Sequence, residues 1–130
     1  MSIGAPQFRT EQSTRTQLQA AKIIAPTSLL STEQTLYTAG EGDFWVVHFW
    51  AANVSGGSES LTLHIVPSGG STSAANAVLW GASIAVGSVL VVGSMVNHRL
   101  APGESLVAKC AVDNAVTVGG WGYDQFGEYA

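Results

Sequence analysis

The stretch "SLTLHIVPSGGSTSAANAVLW", Ser60 to Trp80, contains two strand-like segments and the chain between them. In its first part Leu61, Leu63 and Ile65 fall on one side and Thr62 and His64 on the other. That period of two marks a half-buried β-strand. Pro67 lacks the N–H that a sheet ladder needs, so the strand ends there or lies at an edge. Gly69 and Gly70 permit a tight turn, and the hydroxyls of Ser71, Thr72 and Ser73 solvate it. The alanines at 74 and 75 allow a brief helical turn before a second strand at Ala77–Trp80. A phosphate-binding loop would need a lysine at fixed spacing and a long helix after it. Neither follows the glycines, so the loop is read as joining two strands.

The same texture extends in both directions. Further strands are expected at Leu36–Ala39, Phe44–Val54, Ser88–Val92, Ser105–Val112 and Val116–Trp121, separated by the turn sequences "AGEGD", "VSGGSE", "APGE" and "VDNA". No segment holds a helical apolar period for three turns. Many short strands without intervening helices predict an all-β protein, a single antiparallel β-sandwich of jelly-roll or immunoglobulin-like type. Residues 1–21 are polar and aperiodic and read as an extended, flexible arm, with the sandwich at 22–130.

One strand is apolar on both sides. In "FWVVHFWAANV", strict alternation puts Phe44, Val46, His48 and Trp50 on one face and Trp45, Val47 and Phe49 on the other. A strand of this kind is either central to the core or pressed against a neighbouring subunit, and the low overall charge favours the second. The C-terminal "GGWGYDQFGEYA" adds four aromatics on glycine joints, and Tyr and Trp favour interfaces because they bury large area behind a polar handle. Trp45, Phe49, Trp121, Tyr123, Phe126 and Tyr129 are therefore the expected subunit-interface residues.

Composition supports that reading. Charged residues make up 11% of the 130 residues and hydrophobic ones 46%, whereas an average globular chain is about 25% charged. Subunit contacts are expected to cover part of so uncharged a surface. The net charge of −4 divides unevenly: Arg9, Arg15 and Lys22 against Glu11 give +2 through residue 22, leaving −6 for the remainder. An acidic body does not suit nucleic acid, which needs a basic face. The arm, through Phe8, Arg9, Arg15 and Lys22, is suited to an acidic protein surface. The start has no apolar core of signal-peptide length. The apolar run "VLWGASIAVGSVLVVGSMV" is broken by glycine and serine at strand-length intervals, so strands are expected there and a membrane span is not.

Catalytic chemistry finds little footing. His48, His64 and His98 lie on separate segments without metal-ligand spacing. No G-x-S-x-G elbow occurs, and nothing pairs the acids as a glycosidase would. Cys110, the single cysteine, falls within a strand and reads as a buried, inert thiol. No enzyme activity, cofactor or metal is expected. Trp50, Trp80 and Trp121 are candidates for stacking on sugar rings, so a glycan partner stays open.

The order of several short motifs resembles small bacteriophage virion proteins. These are N-x-S-G at Asn53–Gly56, the "LTLHIVPSGGS" strand and loop at Leu61–Ser71, an alanine–asparagine run at Ala74–Leu79, L-x-x-G-[DE]-x-[IL] at Leu100–Leu106, and "DNAVTV" at Asp113–Val118. The resemblance spans roughly residues 36–120 and implies a structural role. The expected function is capsid decoration (cement): the protein would be made in the host cytoplasm and sit on the outer surface of the phage head. There it would form homotrimers, bind the major capsid protein and stabilise contacts between its subunits. Tail, collar or fibre components are similar too, and a carbohydrate-binding host-attachment module is the further alternative.

Overall fold

The computed structural model describes residues 19–125. Nine strands occur in chain order: β1 (Gln19–Ser28), β2 (Gln34–Thr38), β3 (Asp43–Asn53), β4 (Glu59–Val66), β5 (Ala77–Ile84), β6 (Val89–Val91), β7 (His98–Leu100), β8 (Ser105–Cys110) and β9 (Val116–Gln125). Single 3₁₀ turns at Ala74–Asn76 and Gly93–Met95 interrupt them. The strands form two antiparallel sheets, a β-sandwich. A front sheet runs β1-β9-β3-β6, with β7 also pairing to β3, and a back sheet runs β2-β8-β4-β5. Phe44, Val46, Phe49, Val116 and Val118 of the front sheet and Leu61, Leu63, Leu106 and Ala108 of the back sheet are fully buried between them. Removing such apolar area from water is the main force holding the layers together.

The apolar run after Val78 resolves into β5, β6 and the turn that buries Met95. Among the described residues no helix is long and apolar enough to cross a membrane.

Two strands were not anticipated. β7 is three residues long and too short to show a period. β1 spans Gln19–Ser28, so Gln19–Ala21 pair with β9, as does Lys22, whose ammonium lies 3.9 Å from Asp124. Pro26 obscures the strand in the sequence, but β1 is an edge strand with a register shift between Ile24 and Thr27. Both features are compatible with proline in a sheet.

β3 corrects the strict alternation. Val46 pairs with Gly122 and His48 with Trp121, which leaves Val47 as an extra residue, a β-bulge. Val46 and Phe49 are buried, while Val47 and His48 between them are half-buried. The bulge therefore reverses the phase of everything beyond it. Phe49 joins Phe44 and Val46 in the core at 0% exposure and offers a partner no surface, so its assignment to a subunit interface is corrected. Trp50 turns outward instead.

The polar residues of the recurring motifs act inside the fold. Asn53, 4% exposed, donates from Nδ2 to the carbonyls of Gly57 and Ile84, both at 2.8 Å, and accepts at Oδ1 from the Ser55 amide and hydroxyl. Asn76 donates to the Ser71 carbonyl and accepts from the Ser73 amide, which fixes its amide orientation, so His64 must donate to it from Nδ1. Glu104 accepts the Ala101 amide, and Asn114 occupies a left-handed conformation (φ 64°) while accepting from the Ser28 hydroxyl. Each is a turn lock. Asn53, the buried one among them, is tolerated because its partners are supplied.

Candidate functional site

The outer face of the front sheet is where exposed apolar area collects. Residues directly opposite one another in a sheet point the same way. Trp45 opposes Tyr123, His48 opposes Trp121, and Trp50 opposes both Gly119 and Val91. Ile23 on β1 opposes Trp121. A row of Ile23, Trp121, His48 and Trp50 thus runs toward the β6 valines, with Trp45 and Tyr123 beside it. Ile23 is 74% exposed, Val91 52% and Trp121 44%. Contiguous patches of this sort on otherwise well-buried proteins mark interaction surfaces.

Two of the aromatics on this face, Trp45 and Trp50, are held in place before any partner arrives. Trp45 donates its indole N–H to Gln125 Oε1 at 3.1 Å. The Trp50 ring lies across Gly119, where an added Cβ would come within 2.6 Å of the ring. Gly120 and Gly122 bring β9 unusually close to the bulged part of β3. Cβ atoms there would collide with the backbone oxygens of His48 and Trp45. The glycines of "GGWGY" thus seat β9 and its outward Trp121 and Tyr123. Rigid aromatic anchors lose little conformational entropy on docking.

Electrostatically the face is nearly empty. Its rim carries Arg99, 2.9 Å from Asp43, and the neighbouring carboxylate favours the charged guanidinium. At the same end Tyr37 donates to Asp124 at 3.0 Å, linking the two sheets, and its ring packs on Phe44 with centroids 4.1 Å apart. Burial, reinforced by the Asp124 carboxylate, pushes the Tyr37 hydroxyl up to about 12. Asp113, accepting from Ser31, is held below the ordinary carboxylate value.

The glycine-rich loop folds against the outer side of the back sheet. Gly69 has φ +75° and the Gly70 amide bonds the Pro67 carbonyl at 2.8 Å, closing a turn. Thr72 donates to Glu33, tying the loop to the β1–β2 connection. A shallow pocket of about 350 Å³ lies between them, lined by Glu33, Thr35, Ser71 and Ser105 among others. Among the described residues, Glu33 is the carboxylate that lines it and already accepts a hydrogen bond, and no cation or aromatic ring is part of the lining. Cys110 is buried, with its thiol donating to the Val112 carbonyl. His48, His64 and His98 sit on β3, β4 and β7, and among the described residues no group of three or more His, Cys, Asp or Glu could hold a metal.

Of the expected interface residues, Trp45, Trp121 and Tyr123 come together on the front face, and Phe49 does not. Phe126, Tyr129 and the arm residues Phe8, Arg9 and Arg15 lie outside the described residues. Of the tryptophans considered for sugar stacking, Trp50 and Trp121 belong to the front face, while Trp80 is 67% exposed on β5 and meets His64 edge-on at 5.9 Å. Ile23, Val89 and Val91 were not singled out in the sequence. For the valines, the alternation Val89, Leu90, Val91 carried the signal, but only the pairing with β3 shows which side they face. Comparison with protein-family models, with curated proteins and with solved structures found no match.

Proposed function

We propose that the protein is a non-catalytic structural subunit of a phage particle, a decoration protein of the head that stabilises contacts between major capsid protein subunits. The observation that carries this reading is the aromatic face of the front sheet, which marks the protein as an assembly subunit that works by contact area. The motif order, which resembles that of small virion proteins, supplies the setting. The acidic body and the basic residues of the N-terminal segment add a way to orient the protein on its partner. Such a protein binds by many weak contacts, multiplied when several copies engage one lattice.

Copy number and position test the proposal. Quantitative gel densitometry and cryo-electron microscopy of particles carrying the protein should find hundreds of copies spread over the shell. A dozen or fewer at one vertex would place it in the tail or collar, and absence from particles would end the virion reading. Exposed Trp80 favours a second reading, carbohydrate binding on the back sheet. Glycan affinity that disappears in Trp80→Ala would support it.

A further inference from the structure

We infer that the outer face of the front sheet binds a second copy of this chain, and that the shell is met elsewhere. The inference rests on the reading of the protein as an assembly subunit and identifies what its most apolar surface touches.

Charge is the first argument. Glu59 lies on β4 of the back sheet, and Glu33 and Glu104 immediately precede β2 and β8 of that sheet. Two copies meeting through any of those surfaces would bring like charges together. The outer positions of β1, β9, β3 and β6 described above have no formal charge, and Arg99 at the rim is already paired with Asp43. Identical acidic bodies can approach here without charge repulsion, whereas complementarity to an oppositely charged partner is missing.

Size is the second argument. β3 has 11 residues, so at about 3.3 Å per residue the face is roughly 36 Å long. β1, β9 and β3 at about 4.8 Å spacing, with the three-residue β6 and β7 along the far edge of β3, give a width of roughly 14–19 Å and a face of about 500–700 Å². A standard interface takes about 800 Å² from each partner. The whole face and a modest rim would be covered, which leaves no room on it for a second kind of partner. Its chemistry also fits self-association, with tryptophan and tyrosine at the centre and branched aliphatics on either side, a set enriched in interface cores.

The experiment is sedimentation equilibrium or light scattering on the purified full chain, at about 5–200 μM, for wild type, Ile23→Glu, Val91→Glu and Trp80→Ser. Ile23 and Val91 are exposed, so circular dichroism should report unchanged folding in both variants. Wild type should sediment as a closed oligomer and Trp80→Ser should match it. Ile23→Glu and Val91→Glu should weaken association at least tenfold. A monomeric wild type across this range would overturn the inference and leave the face to the chain's own terminal segments or to the shell. Oligomers that survive both glutamates, or that fall apart in Trp80→Ser, would overturn it too. Occupancy of the variants on particles separates this from the decoration role: monomeric variants that still bind singly leave the role intact, and oligomers that never bind particles remove it.

Discussion

Replacing Phe49 with alanine should destabilise the protein far more than replacing Trp45, although strict alternation puts the two on the same side of β3. Phe49 is 0% exposed and packed in the inter-sheet core, where truncation removes the transfer energy of the ring and leaves a cavity. Such changes cost about 3–5 kcal/mol, a large part of the roughly 5–15 kcal/mol that holds a domain folded. Trp45 is half-buried on the outer face, and its loss removes one hydrogen bond and part of one ring's contacts. About 1 kcal/mol is expected from that change in dilute protein. With a urea slope of about 2 kcal/mol per molar, the Phe49→Ala midpoint should fall by about 2 M and that of Trp45→Ala by about 0.5 M. Far-ultraviolet circular dichroism at about 2 μM is the suitable probe, since it depends neither on Trp45 emission nor on assembly. Equal shifts, or a larger one for Trp45, would mean that β3 has no bulge at Val47 and that the assignment of faces beyond it is inverted.

Gly122→Ala should destabilise by about 3 kcal/mol, at the upper end of overpacking effects, because its Cβ would enter the space of the Trp45 carbonyl; a denaturation midpoint within error of wild type would refute the close approach. Asn53→Ala removes the amide donor at 2.8 Å from the buried Ile84 carbonyl and leaves it the longer Ser58 hydroxyl contact at 3.5 Å; this should cost about 2 kcal/mol in the same assay, with Asn53→Asp no better, since an acceptor cannot replace the lost N–H. Tyr37 has its hydroxyl pushed up from 10 to about 12 in the folded protein, so the stability it contributes is complete below pH 10 and is lost as pH rises through 12. Thermal melts should therefore fall more steeply between pH 10 and 12 for wild type than for Tyr37→Phe, and parallel curves would count against the Asp124 contact.

Much of the sandwich was legible because period-two patterns and turn residues are local signals. Leu61, Leu63 and Ile65 declared the buried side of β4 directly, and Pro67 with Gly69 declared its end. What was not legible depended on partners distant in sequence. The bulge at Val47 exists because β9 offers one residue where β3 offers two, and nothing in "FWVVHFW" alone marks it. β1 was hidden by Pro26, whose missing N–H is harmless only because β1 lies at an edge. The candidate face was half legible: Trp45, Trp121 and Tyr123 announced themselves by residue type, whereas Ile23 and Val91 are ordinary aliphatics until β9 and β3 bring them beside tryptophans. The motif residues Asn53, Asn76, Glu104 and Asn114 proved to be turn locks, so the pattern that carries the resemblance encodes architecture.

The extra residue at Val47 has a geometric consequence for recognition. A bulge bends its strand and sharpens the local twist, and this one lies in the middle of the row that bears Trp45, His48 and Trp50. Deleting Val47 would restore regular alternation with Val46 and Phe49 still inward, so nearly every side chain of the outer face would keep its side. The surface would flatten while its chemistry stayed the same. Fit to a partner would then change through curvature alone, which makes the length of one strand a determinant of specificity alongside the residues displayed on it.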